Sequence, residues 1–114
     1  MRLKTPNVVK ITNLTPQLLI GIIIAESVFK FHAGVTYEVT ITSIDDGVHG
    51  PTTLHGTGRA GDLRTKDLPA TVDKQKLLAD VKLAVGKDFD VLLEYVGTDN
   101  EHMHIEYDPN KIAG

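Results

Sequence analysis

The chain has 114 residues, of which 41% are hydrophobic and 24% charged, and its formal net charge is −3. We interpret residues 1–114 as a single domain, because this length supports one core and the composition excludes disordered and fibrous chains. The acidic balance argues against nucleic-acid binding, and without any cysteine a metal would have to be held by histidine and carboxylate side chains.

The segment from Met1 to Pro16 has neither the apolar core nor the cleavage site of a signal peptide. The most apolar run, Leu18 to Ala25, is interrupted by Gly21 and is shorter than the roughly 20 residues that span a membrane. We therefore expect a protein that is synthesised in the cytoplasm and does not bind a membrane.

The first half of the chain predicts one helix and one strand. Thr15 and Pro16 are typical of a helix start, and the stretch to about His32, apolar almost all round, predicts a buried helix. Apolar and polar residues alternate over 35–42, which predicts a strand with one solvated face. Residues 43–61 are rich in glycine and lack periodicity, which is typical of a long functional loop.

The second half predicts a short strand, a helix and a hairpin. The strand covers residues 62–65, and the helix runs from Asp73 to Val85, with Gly86 as its stop. The segments Phe89–Tyr95 and His102–Tyr107 read as two strands that pair as a hairpin. The sum is an α+β fold in which two or more helices pack on a small, mostly antiparallel sheet.

Histidine and aspartate residues have the spacing of a metal site. His55 and Asp62 are separated by a glycine-rich turn that can fold both side chains toward one point. His102 and His104 share one face of a strand, because residues two apart point the same way, while Met103 faces the core. One His, one Asp and a second His leave a fourth position open for water, as in catalytic zinc sites, so one Zn²⁺ per chain is predicted.

A hydrolytic zinc site also needs a general base beside that water. Glu101 precedes His104 by three residues and is the first candidate. In an unbroken strand Glu101 would point away from His102 and His104, so this assignment requires a turn or a bulge. Glu94 is the alternative. Glu106 shares the face of His104 and is predicted to orient its ring.

Two spaced motifs carry a family resemblance. His55, Gly58, Ala60 and Asp62, followed by Glu101 and His104, resemble the zinc D-alanyl-D-alanine carboxypeptidase and endolysin family. The same region is similar to the signalling domain of hedgehog proteins, which shares that fold.

The resemblance implies a hedgehog/DD-peptidase-like fold with zinc ligands His55, Asp62 and His104. It further implies that Glu101 is the catalytic acid/base and that His102 lies near the substrate and supports the tetrahedral intermediate. In the hedgehog branch, Glu94 lies closer to the acid/base position.

The resemblance further implies a peptidase that cleaves peptidoglycan stem or cross-link peptides and acts on the cell wall if it is a phage lysin. Residues 42–47 lack the arginine that holds a terminal carboxylate in the carboxypeptidases, which favours an endopeptidase. Arg59 and Arg64 could pair with Asp62 or with a peptide carboxylate, although such residues are usually solvated. The alternative is a non-catalytic zinc-binding or virion-associated module. The sequence does not predict the oligomeric state.

Overall fold

The computed structural model describes residues 1–4, 14–44 and 58–109. Their strands form one five-stranded sheet in the order β1-β2-β3-β5-β4, in which every neighbouring pair is antiparallel except β1 and β2. Two helices pack on one face of this sheet, so the predicted α+β class is confirmed. The elements in chain order are β1 (Arg2–Leu3), α1 (Pro16–Ala33), β2 (Thr40–Ile44), β3 (Ala60–Arg64), α2 (Lys74–Val85), β4 (Phe89–Glu94) and β5 (His102–Tyr107).

Helix α1 begins as the sequence predicts. The Thr15 hydroxyl accepts a hydrogen bond from the Leu18 amide, and Pro16 occupies the first turn, where no amide donor is needed. The Thr15 hydroxyl also donates to the Gly58 carbonyl oxygen, which ties the start of α1 to the segment just before β3.

The prediction of a buried helix holds for one face of α1 only. One face, with residues such as Leu18, Ile22 and Phe29, is fully buried, whereas Ile20 and Ile23 are about half exposed. The reason is architectural, because a two-layer domain covers only the helix face that meets the sheet. Among the described residues, α1 alone is long and apolar enough to cross a membrane by those two measures, and a core helix passes the same test.

The strand predicted over residues 35–42 forms later in the chain than expected. Strand β2 covers Thr40–Ile44, whereas Val35 lies outside it and is largely exposed. The alternation of apolar and polar residues over 35–39 therefore does not correspond to a strand. Among the described residues, no strand pairs with this segment, and pairing with β1 begins at Thr40. Ser43 and Ile44, assigned to the loop from the sequence, belong to the strand.

Strand β3 pairs with β2 on one side and with β5 on the other. Its register with β2 shifts between Ile41 and Ser43, opposite Leu63 and Asp62. Such irregularities re-aim side chains locally, and this one adjoins the aspartate that the sequence singles out.

Helix α2 agrees with its prediction. The Asp73 side chain caps it by accepting from the amides of Gln75 and Lys76. Gly86 ends it at φ 86°, a left-handed conformation that favours glycine. Its buried residues, Leu77 and Val81, are one turn apart and face the core.

The predicted hairpin is confirmed as the antiparallel pair β4 and β5. Met103 and Ile105 are fully buried in the core beneath the helices. His102, His104 and Glu106 alternate with these two residues along β5 and therefore lie on the opposite face of the sheet.

Candidate metal centre

Three adjacent strands bring the polar residues together on the sheet face opposite the helices. Asp62 of β3 pairs in register with His104 of β5. In the neighbouring row, His102 pairs with Glu94 of β4 on one side and with Arg64 of β3 on the other. The centre is thus built where β3 pairs with β5 and β5 with β4 in unbroken register, and such strands hold side chains in a fixed relative geometry.

Asp62 connects the two histidines. Its Oδ1 atom lies 2.8 Å from Nδ1 of His104 and 3.6 Å from Nε2 of His102. His102 Nε2 also lies 3.0 Å from Oε1 of Glu94, and its Nδ1 lies 2.7 Å from the carbonyl oxygen of Asn100. The predicted convergence of His102 and His104 on one face is therefore present in the structure.

His104 is nearly buried and stands between two carboxylates. Its Nε2 atom lies 3.1 Å from Oε1 of Glu106, so both ring nitrogens face a carboxylate oxygen. Burial lowers the pKa of His104, but the hydrogen bonds and charges of Asp62 and Glu106 outweigh burial and raise it to about 9. The predicted contact between Glu106 and His104 is present.

The donor atoms suit a divalent metal. Asp62, Glu94 and His104 each offer one ligand atom, and these atoms all lie within 4.8 Å of one another. One imidazole and carboxylate oxygens form a donor set that Zn²⁺ accepts. His55, the remaining ligand predicted from the sequence, lies outside the described residues.

Glu101 lies in a different environment. Its side chain is only 3% exposed and accepts hydrogen bonds from Thr65 Oγ1 at 2.7 Å, Lys74 Nζ at 2.5 Å and the Gly97 amide at 2.9 Å. Burial raises the pKa of Glu101, but the hydrogen bonds from Lys74, Gly97 and Thr65 and the charge of Lys74 hold it below its usual value.

The contacts of Glu101 correct the expectation that a turn swings it toward the histidines. Successive side chains of an extended chain point to opposite faces of the sheet. Glu101 directly precedes His102, so its side chain points away from the face on which His102 contacts Glu94. Its carboxylate connects the turn after β4 to the first residue of α2.

Glu94, the alternative base candidate from the sequence, lies beside the histidines. Its signal was the hairpin itself, because pairing Phe89 with Tyr107 sets Glu94 directly opposite His102. Lys74 was not anticipated as the partner of Glu101, since α2 and the turn after β4 are distant in sequence and carry no local motif.

Two cavities adjoin the centre. One, of about 610 Å³, extends along strand β4 and is lined by residues that include His104 and Glu106. The other, of about 350 Å³, is lined by residues that include Asp62, Arg64 and His102.

The fold and the cluster together define the class of the protein. Two helices on a mostly antiparallel five-stranded sheet, with histidines and carboxylates on the other face, are compatible with a hedgehog/DD-peptidase-like α+β domain. The family model of the Hedgehog amino-terminal signalling domain matches residues 19–106, which is more than half of the chain, and the chain belongs to that family. No curated protein and no solved structure matches it.

Proposed function

We propose that the protein is a zinc-dependent peptidase whose zinc ligands are His55, Asp62 and His104. The observation that carries the proposal is the convergence of Asp62, Glu94 and His104 donor atoms within 4.8 Å. A set of three protein ligands is typical of catalytic zinc, whereas structural zinc usually has four. When bound, Zn²⁺ supplies Lewis-acid polarisation of a carbonyl group.

Within this proposal Glu94, and not Glu101, is the general base. The Glu94 side chain is 40% exposed and contacts His102, so it is accessible to water and adjacent to the cluster. Glu101 is buried, and Lys74, Thr65 and Gly97 occupy its oxygens, so proton transfer to it would break an ion pair.

His102 has a positioning and electrostatic role. Its Nε2 atom lies between Oε1 of Glu94 and Oδ1 of Asp62, at 3.0 and 3.6 Å. An imidazole there orients the Glu94 carboxylate and can donate to an oxygen that gains negative charge during acyl transfer.

The proposed substrate is a peptide of the bacterial cell wall, a class that rests on the sequence resemblance to the carboxypeptidase and endolysin family. The two cavities beside the cluster give room for residues on both sides of a cleaved bond.

The decisive experiment compares Glu94→Gln with Glu101→Gln in the zinc-loaded protein. Cleavage of purified peptidoglycan and of synthetic stem peptides is followed by mass spectrometry, and zinc content is measured in the same samples. We expect Glu94→Gln to keep its zinc and lose about 10²–10⁴-fold in rate, the usual contribution of a general base. Glu101→Gln should keep the rate at temperatures where it remains folded.

Two results would contradict the assignment. If Glu94→Gln cleaves as fast as the unchanged protein, Glu94 is not the base. If the unchanged protein binds zinc but cleaves no peptidoglycan, it is not a peptidase of this class.

The second candidate function is a zinc-binding module without hydrolytic activity, which acts by binding a partner. Membership of the Hedgehog signalling-domain family favours it. It predicts that zinc binding persists, that no wall peptide is cleaved, and that Glu94→Gln changes nothing except local stability.

A further inference from the structure

Arg64 has a buried donor without an acceptor. Its Nε atom is inaccessible to solvent and makes no hydrogen bond among the described residues. Buried polar groups in folded proteins are nearly always paired, and a guanidinium is a strong donor, so an isolated buried N–H of this kind needs an explanation.

The position of Arg64 next to the candidate metal centre gives that explanation. Arg64 occupies the same cross-strand row as His102 and Glu94, with its backbone paired to His102. Adjacent strands lie about 4.8 Å apart, so the backbone of Arg64 is about 10 Å from that of Glu94. An extended peptide advances about 3.3–3.6 Å per residue, so a group bound by Arg64 would lie within about two residues of a bond that faces Glu94.

The cavity beside Arg64 is suited to an anion. It has a volume of about 350 Å³, and two lysines, Lys4 and Lys66, line it together with Arg64. Neither lysine side chain is hydrogen-bonded within the described residues 1–4, 14–44 and 58–109. The carboxylates in the lining are Asp62, Glu101 and Asp99.

The charges of these carboxylates are largely compensated. Asp62 contacts His104, and Glu101 forms an ion pair with Lys74, which lies outside the cavity lining. Asp99 is exposed at the turn after β4. Because Asp62 is a zinc ligand in the proposed function and Glu101 is paired with Lys74, the three cations of the lining exceed the one carboxylate, Asp99, that forms no ion pair among the described residues.

We infer that Arg64, with Lys4 and Lys66, forms a subsite for the carboxylate of a short peptide bound at the metal centre. The planar guanidinium matches the two oxygens of a carboxylate. Because Nε is closed to solvent in the unliganded conformation, it would gain this acceptor by a rotation of the Arg64 side chain toward the cavity on binding. The inference that the ligand is a peptide rests on the proposed function. The subsite would select peptides that carry a free carboxylate within two residues of the bond that faces Glu94. The carboxylate could be a chain terminus or an acidic side chain.

The test uses the full chain, zinc-loaded, and three related dipeptide probes, two with one carboxylate at different positions and one without a carboxylate. These are N-acetyl-D-alanyl-D-alanine, its C-terminal amide, and the α-amide of N-acetyl-D-alanyl-D-glutamate. Dissociation constants come from NMR titrations that also follow the Arg64 Nε–Hε signal. We expect one or both acidic probes to bind about 10-fold more tightly than the neutral amide, as one charge-assisted hydrogen-bonded pair allows. The tighter of the two identifies the source of the carboxylate.

Variants assign the preference to Arg64. Arg64→Gln should abolish it, and Arg64→Lys should keep part of it, because lysine is a point charge without the planar fork. Arg59→Gln is the matched control, since Arg59 directly precedes the same strand and does not line the cavity. We expect this control to behave as the unchanged protein does.

Equal binding of all three probes would overturn the inference, as would a preference that survives Arg64→Gln. If Arg64→Gln does not fold, the Nε–Hε signal of the unchanged protein decides, because it must shift with an acidic probe and not with the amide. Zinc content is measured separately. A chain that takes up no zinc refutes the proposed function, and the carboxylate preference is then measured on the metal-free protein.

Discussion

Oε1 of Glu94 lies 3.0 Å from Nε2 of His102, across the antiparallel pair of β4 and β5. This contact joins a carboxylate at the end of one strand to an imidazole at the start of the next. It brings Glu94 to the cluster around Asp62, 32 residues earlier in the sequence, without any irregularity in β4 or β5.

The first prediction concerns metal content. The dialysed protein should contain about one zinc per chain, and Asp62→Ala should lose it, because Asp62 supplies one of the converging donor atoms. Zinc at 100 times its dissociation constant should raise the free energy of unfolding by about 2.7 kcal/mol if only the folded form binds it.

Elemental analysis and urea unfolding with and without zinc measure both effects. Asp88→Ala serves as the control, since Asp88 lies outside the cluster and should leave both values unchanged. Equal zinc content in Asp62→Ala and the unchanged protein would remove Asp62 from the centre.

The second prediction concerns the buried ion pair of Glu101 and Lys74. Replacing Lys74 by Met removes a charged donor from a carboxylate that is almost fully buried. We expect the free energy of unfolding to fall by about 1.5–3 kcal/mol, the usual value of a hydrogen bond to a charged group.

A double-mutant cycle with Lys74→Met and Glu101→Gln, measured by urea unfolding, isolates the coupling between the two residues. A coupling near zero would show that Thr65 and Gly97 alone hold Glu101. Lys76→Met is the control for the loss of a helix lysine, because Lys76 lies two residues after Lys74 on α2 and is exposed.

The third prediction is an acid-dependent loss of stability. The pKa of Glu101 is lower in the folded protein than in the unfolded chain, so its stabilisation is fully present above the unfolded value of about 4.3. It is lost as pH falls through the folded pKa. Urea unfolding from pH 6 down to pH 2.5 should therefore show a shallower decline in Glu101→Gln, and identical slopes would contradict this account.

The fourth prediction concerns the close approach of α1 to β4. A Cβ atom on Gly21 would lie 2.4 Å from a ring carbon of Phe89, so Gly21→Ala must displace that ring. Alanine favours the helix by about 1 kcal/mol, and overpacking costs about 1–3 kcal/mol, so we expect net destabilisation of up to about 2 kcal/mol. Thermal unfolding measures it.

Phe89→Leu provides the matched background for this test. With the smaller side chain the clash is relieved, so Gly21→Ala should become neutral or stabilising there. Equal destabilisation in both backgrounds would mean that Phe89 is not the obstacle.

Elements with strong local signals could be predicted from the sequence. Thr15 with Pro16 and Asp73 with Gly86 marked both helices to within a residue or so, because caps act on their own helix. The alternation of Met103 with His102 and His104 likewise assigned the two faces of β5 correctly.

Features that depend on distant partners could not be predicted. The start of β2 at Thr40 follows from pairing with Arg2, and the environment of Glu101 follows from Lys74, 27 residues away. Glu101 was preferred over Glu94 because of its spacing to His104 in the sequence. That spacing contains no information about which residue of β4 lies opposite His102.

The position of β5 between β3 and β4 in the sheet has a kinetic consequence. Strands β4 and β5 are joined by a short turn, whereas the contact of Asp62 with His104 closes a segment of 42 residues. Local hairpins form in microseconds, and longer loop closures cost more entropy, so we expect the metal centre to be completed only when β3 docks on a hairpin already formed. The appearance of zinc affinity in a stopped-flow refolding experiment would then time that docking step.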